Sequence, residues 1–212
     1  MLKYSRLIVF YVGLINLMAY QFGRISVLIV EDNLPMVELT RSILETFGVV
    51  DVDSAKDGQE GFKLFCEKNH DLVIADWMMR PMDGISLTRL IRNDPRSPNQ
   101  FVPVILMTGF SEKRRVVQAR DAGVTEFLVK PFNARDLYRR IAQIIERPRQ
   151  FVRSEDFFGP DRRRVEKGEY KGPKRRSSDK ADGEKVIDRN AFTDSLRSAE
   201  EFSDGNIRNR KS

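Results

Sequence analysis

Between Ser26 and Glu146, short apolar runs alternate with amphipathic stretches. The runs Val27–Val30, Val49–Val52, Leu72–Ala75, Val102–Met107 and Glu126–Val129 have the length of strands. Most are near-continuously apolar, as expected of strands buried on both faces of a parallel sheet. Between them, apolar positions recur at helical spacing. Val37, Leu44 and Phe47 mark a first helix, entered at Pro35 and ended at Gly48. Phe62, Phe65 and Cys66 share a face of a second, opened by Asp57 or Gly58. Ile85, Leu87, Leu90 and Ile91 define a third, ended by the Asp94-Pro95 turn. A helix over Glu112–Ala122, capped by Ser111 and closed at Gly123, has a thin stripe of Val116, Val117 and Ala119. Asn133 caps a last helix with an inward row of Leu137, Ile141, Ile144 and Ile145.

Five such units in about 120 residues imply an α/β domain with a five-stranded, doubly wound parallel sheet covered by helices on both faces. The flavodoxin-like strand order 2-1-3-4-5 is the expected topology, and it gathers reactive groups at the carboxyl ends of the strands. The chain puts chemistry there. Glu31-Asp32 follows the first strand, Asp76 the third, Thr108 the fourth and Lys130 the fifth. Clustered carboxylates repel one another and call for a cation, and a hard divalent ion such as Mg²⁺ suits oxygen ligands beside a phosphate.

Composition narrows this picture. Of the 212 residues, 41% are hydrophobic, and residues 25–146 hold nearly all the periodic pattern. The net charge of +6 is unevenly spread: about +1 up to residue 146 and +5 over residues 147–212. The basicity therefore says little about the folded part. The single cysteine, Cys66, excludes an intrachain disulfide and a cysteine-cluster metal site, and is expected to be a buried structural thiol. The single histidine, His70, is expected in a surface turn before the third strand. Residues 1–24 form an apolar extension in which the run 7–22 follows Lys3 and Arg6. A signal peptide has this charge order, but a small-x-small cleavage site is lacking. A membrane anchor would need about 20 apolar residues, and this run is shorter and includes Asn16. The favoured reading is translation from Met18, with tethering through residues 7–22 as the second choice and a cytoplasmic location expected.

Taken together, Glu31-Asp32, Asp76-Trp77-Met78-Met79, Met82-Asp83-Gly84, Thr108-Gly109 and Phe127-Leu128-Val129-Lys130-Pro131 resemble the receiver domain of bacterial two-component response regulators. The resemblance covers residues 25–146. It implies that Asp76 accepts a phosphoryl group from a sensor histidine kinase or a histidine phosphotransfer protein. It also implies that Glu31, Asp32, Asp76 and the backbone carbonyl of Met78 hold Mg²⁺, and that Lys130 and Thr108 contact the phosphoryl oxygens. Thr108 and Phe127 would form the switch that repacks the face made by the helix over 112–122, the fifth strand and the last helix. A Lys130-Pro131 cis bond is a further implication. The chain departs from the family at Arg80, where a proline is usual; Pro81 follows it. Met78 and Phe110 flank the phosphoryl position with apolar groups that cannot orient water, which predicts a long-lived phosphoryl state. Such a domain catalyses only its own phosphotransfer and dephosphorylation and is not otherwise an enzyme.

Residues 147–212 are rich in charge, Gly, Pro and Ser and are expected to be a mostly disordered tail. A short repeat appears in it, Gly159-Pro160-Asp161-Arg162-Arg163 and Gly172-Pro173-Lys174-Arg175-Arg176. Aromatic residues precede each copy: Phe157-Phe158 and Tyr170. Three readings compete for this tail: a solvated chain, an aromatic-and-arginine peptide docking on the domain or on a partner, and an effector that binds nucleic acid or an anionic membrane. The interspersed acids argue against nucleic acid and leave membrane contact open. A helical face of Phe192, Leu196 and Ala199 offers a further partner-binding element. The downstream protein partner is not named by the sequence, and a homodimer is left open.

Overall fold

The computed structural model describes residues 22–109, 117, 119–154, 157–161 and 185–186. Five parallel strands, β1 (Ser26–Val30), β2 (Asp51–Ala55), β3 (Leu72–Asp76), β4 (Val104–Thr108) and β5 (Glu126–Val129), form a sheet in the order β2-β1-β3-β4-β5. This is the topology expected from the sequence. Among the described residues, four helices with defined ends accompany it: α1 (Leu34–Thr46), α2 (Gly58–Lys68), α3 (Gly84–Asn93) and α4 (Ala134–Glu146). Of the helix predicted over 112–122, the described residues Val117 and Ala119–Asp121 are helical. Ala119 is buried as expected, but Val117 faces solvent.

Alternation along each strand divides the core into two layers. Val27, Ile29, Ile74, Ile105 and Met107 face α1 and α4, where Leu44, Leu137 and Ile141 meet them. Leu28, Val30, Val73, Ala75 and Leu106 face α2 and α3, where Phe62, Leu87 and Ile91 meet them. Each of α1 to α4 starts on an Asn or Asp whose side chain accepts an N–H bond from the first turn: Asn33, Asp57, Asp83 and Asn133. Each cap therefore fixes where its helix leaves the loop that follows a strand.

Several expectations need correction. β2 lies at Asp51–Ala55 rather than Val49–Val52, and Val50 is 83% exposed. β2 is the sheet edge, so only part of its surface is covered and the run Asp51-Val52-Asp53-Ser54 lacks a continuous apolar signal. His70 is buried rather than in an exposed turn; its Nε2 lies 2.8 Å from Asp53 Oδ2 on β2. Lys68 joins the same carboxylate at 2.7 Å. Cys66 is only half-buried; its Sγ lies 3.5 Å from the Arg96 carbonyl oxygen, and burial pushes its thiol pKa up. Phe22, assigned to the N-terminal extension, is fully buried and makes edge-on ring contacts with Phe47 and Tyr138. Among the described residues, no helix is long and apolar enough to cross a membrane.

The chain does not leave the domain at residue 146. Strands β6 (Phe151–Ser154) and β7 (Phe157–Pro160) form an antiparallel hairpin, and β8 (Lys185–Val186) pairs with the other edge of β6. Phe151 and Phe158 are buried and meet the Phe101 ring at centroid distances of 5.1 and 5.3 Å. This part of the predicted disordered tail is thus docked on the domain through its aromatic residues. The second repeat and residues 192–199 lie outside the described residues, as do residues 1–21.

Phe22→Ala is expected to destabilise the protein by about 3 kcal/mol, because it empties a site closed by two other rings. Val50→Ala should change stability by less than about 0.5 kcal/mol. Urea unfolding of both full-length variants checks this, and equal midpoints would return Phe22 to the extension.

Candidate functional site at the carboxyl edge of the sheet

Parallel strands end together, so the residues that terminate β1, β3, β4 and β5 meet at one edge. Glu31 follows β1 and is 3% exposed, whereas Asp32 beside it faces solvent. Asp76 is the last residue of β3, Thr108 the last of β4, and both are buried. The carboxylates of Glu31, Asp32 and Asp76 offer oxygens within 4.8 Å of one another. Into this cluster Lys130, just past β5, sends its ammonium. Its Nζ lies 2.6 Å from Glu31 Oε2 and 2.7 Å from Asp76 Oδ1. The second Asp76 oxygen, Oδ2, accepts the Met78 N–H at 2.9 Å. Glu31 Oε1 accepts the Asn33 N–H at 3.3 Å.

The electrostatics follow from burial and pairing. Burial drives the Glu31 pKa up, and the Asp76 charge adds to it; the Lys130 hydrogen bond pulls the other way without prevailing. Burial also disfavours the Lys130 ammonium, but its hydrogen bonds to Asp76 and Glu31 outweigh that and raise its pKa. Lys130 therefore remains a cation at neutral pH. A buried acid with a raised pKa holds its proton more tightly in the folded chain than in the unfolded one. Stability is therefore lost as pH rises through the Glu31 pKa. Keeping an anion there works against the fold, which is typical of sites kept for their chemistry.

Backbone bonds hold the surrounding loops. The Trp77 N–H donates to the Met107 carbonyl at 2.9 Å, and the Gly84 N–H reaches back to the Trp77 carbonyl at 3.2 Å. On the other side, the Gly58 N–H bonds the Met82 carbonyl at 3.0 Å. Trp77 and Met79 are buried against the α2/α3 layer, so Met78 and Arg80 point outward. Both Arg80-Pro81 and Lys130-Pro131 are cis; the sequence anticipated only the second. Gly84 is the tightest point. A Cβ there would lie 2.2 Å from the Asp76 carbonyl oxygen and 2.8 Å from Leu106 Cδ1. In the sequence Gly84 stands out only as part of the Met82-Asp83-Gly84 motif; a glycine following Asp83 at a helix start is the available signal of this close approach.

Among the described residues, every residue predicted for the site lies at this edge except Phe127. That side chain is half-buried, sits opposite Leu106 in the β4–β5 ladder and packs with the α2/α3 layer. Phe110 lies outside the described residues.

A sequence model of the response regulator receiver domain matches residues 27–142, more than half of the chain. The chain belongs to this family. It is 33% identical over 122 residues to the chemotaxis protein CheY of Pseudomonas aeruginosa, covering 58% of this chain and 97% of that one. The chemotaxis protein CheY-3 of Vibrio cholerae is 31% identical, with 58% and 92% covered. Among solved structures, the Vibrio cholerae chemotaxis response regulator CheY4 superposes with a TM-score of 0.53 at 25% identity, covering 57% of this chain and 98% of that one. The receiver domain is thus the signalling module of a two-component system, and β6–β8 lie beyond the part of the chain that matches it.

Gly84→Ala is expected to destabilise the receiver by about 3 kcal/mol through overpacking against the β3 backbone. Gly109→Ala, with nothing within 4 Å of the added carbon, should be tolerated. Urea midpoints compare the two, and a stable Gly84→Ala protein would refute the close approach.

Proposed function

We propose that the chain is a phosphorylation switch with Asp76 as acceptor. One observation carries this reading: a single ammonium, Lys130, bridges two buried carboxylates at 2.6 and 2.7 Å beside a third acid. Among the described residues the site has one cation for three acids, and it suits an incoming cation and phosphoryl group better than it suits stability. An Asp76 carboxylate oxygen attacks the phosphorus of a phosphohistidine, the P–O bond forms, the P–N bond breaks, and the imidazole leaves with its electron pair and takes up a proton. Lys130 then turns from the carboxylates toward a phosphoryl oxygen, and the Thr108 hydroxyl donates to another.

The donor set fits Mg²⁺: three carboxylates converge, and the carbonyl of Met78, two residues after Asp76, would be a further oxygen ligand. Bound there, Mg²⁺ would neutralise the developing charge on the phosphoryl oxygens. Glu31 and Asp32 would hold the ion, and Asn33 orients Glu31 through its backbone N–H.

The donor is a sensor histidine kinase or a histidine phosphotransfer protein, which places the chain in the cytoplasm. Output passes through protein contact on the face of residues 112–122, β5 and α4, with Thr108 and Phe127 as the moving pair. The protein turns over no independent substrate. The alternative, an effector that touches nucleic acid or anionic membrane through its tail, loses support because Phe151 and Phe158 are committed to the domain.

Incubation of the full chain with Mg²⁺ and acetyl phosphate should produce a hydroxylamine-labile label that Asp76→Asn abolishes. Trp77, adjacent to Asp76 and 5% exposed, should report both Mg²⁺ and phosphorylation by fluorescence. A label that persists in Asp76→Asn overturns the assignment. Met78 is 59% exposed beside the acceptor, and Met78→Asn should shorten the life of the label several-fold by orienting water. An unchanged decay rate would show that this side chain does not protect the phosphoryl group.

A further inference from the structure

Four residues separate α4 from the β6–β7 hairpin, which docks at the end of the sheet opposite Asp76. Its neighbours are Gln100, which precedes β4, and Gly123, which precedes β5. Beneath it lies Arg92, near the end of α3 and 1% exposed. The guanidinium donates to the Gly123 carbonyl at 3.1 Å, the Gln100 carbonyl at 2.8 Å and Thr125 Oγ1 at 3.5 Å. The Phe151 ring covers it at 5.1 Å. Among the described residues no carboxylate pairs with it, and burial alone draws its pKa down to about 9. A buried cation without a counter-anion is costly, and its rehydration offsets part of what exposing Phe151 and Phe158 would lose.

Its seat has no slack. A Cβ on Gly159 would lie 2.8 Å from Gly123 Cα, and one on Gly123 would lie 3.2 Å from the Phe158 carbonyl oxygen. The same turn is stitched to the sheet. Thr125 donates its N–H to the Val104 carbonyl at 2.9 Å, and Thr125 Oγ1 accepts the Val104 N–H at 3.0 Å. β4 and β5 therefore connect this seat with Thr108 and Lys130 at the acidic edge.

We propose that the hairpin is an intramolecular latch: docked on Arg92 and Gly123, it holds β4 and β5 where Lys130 bridges Glu31 and Asp76, and so opposes phosphorylation of Asp76. This rests on the phosphoacceptor reading above. On this proposal a phosphoryl group that takes Lys130 and Thr108 draws on the ends of β4 and β5, and the Gly123–Gly159 contact leaves the seat no room to follow without lifting Gly159. By linkage the effect is reciprocal: acceptor occupancy loosens the hairpin, and loosening it favours occupancy.

The test uses two full-length variants. Phe158→Asp places a charge in the aromatic cluster, and Gly159→Ala forces the strand off Gly123. Trypsin cleavage after Arg153 reports undocking, and circular dichroism confirms that the receiver stays folded. Trp77 fluorescence is titrated with beryllofluoride, an acyl-phosphate mimic, in excess Mg²⁺. Both variants should be cut faster and should half-saturate at about tenfold lower beryllofluoride, within the usual range of coupling between sites. In the parent chain, saturating beryllofluoride should speed cleavage after Arg153. Undocked variants with the parent midpoint, or a weaker one, would overturn the latch while leaving Asp76 as acceptor. A parent chain with no Mg²⁺-dependent response to beryllofluoride overturns both readings.

Discussion

Lys130 is the hinge of the electrostatics. Three acids converge where β1 and β3 end, and placing Glu31 and Asp76 side by side at low exposure calls for a cation between them. Lys130 resolves this by contacting both. Among the described residues one lysine serves three carboxylates, and that imbalance makes the edge receptive. Asp76 is held by Lys130 on one oxygen and by a backbone N–H on the other, so its geometry is set before any ligand arrives.

That arrangement depends on the sheet being packed on both faces. The α1/α4 and α2/α3 layers fix the strand ends, and an Asn or Asp cap after a strand starts each helix at a set place. At Gly84 the helix start presses on the strand that carries Asp76, so α3 and the acceptor form one rigid unit. The loop between them anchors Trp77 and Met79 in the core and presents Met78 and Arg80 outward.

The central strands and the acidic edge were readable because burial on both faces leaves continuous apolar runs, each punctuated by a polar residue at its end. The same reasoning misplaced β2, since an edge strand carrying Asp51, Asp53 and Ser54 gives no such run. It put His70 outside because a lone polar residue before a strand looks like a turn; what buries it is Asp53, a partner distant in sequence. Phe22 was hidden inside a longer apolar stretch that suggested a leader. The hairpin was hidden by its flanks: charge and proline dominate residues 147–176, while three aromatic rings contributed by two separate segments make the contact. Local composition cannot report a pairing between Phe101 and Phe158.

The meeting of Gly123 and Gly159 has a comparative consequence. Gly123 has φ of +94°, so glycine there is required by the turn alone and would be unremarkable in a receiver without any hairpin. Gly159 has no such backbone requirement; it is small because another chain segment touches it. A receiver with glycine at the turn could accept this appendage, but only an appendage with a matching gap could seat. Compatibility is thus written in two places at once, and the pair rather than either residue identifies which domains can carry this extension.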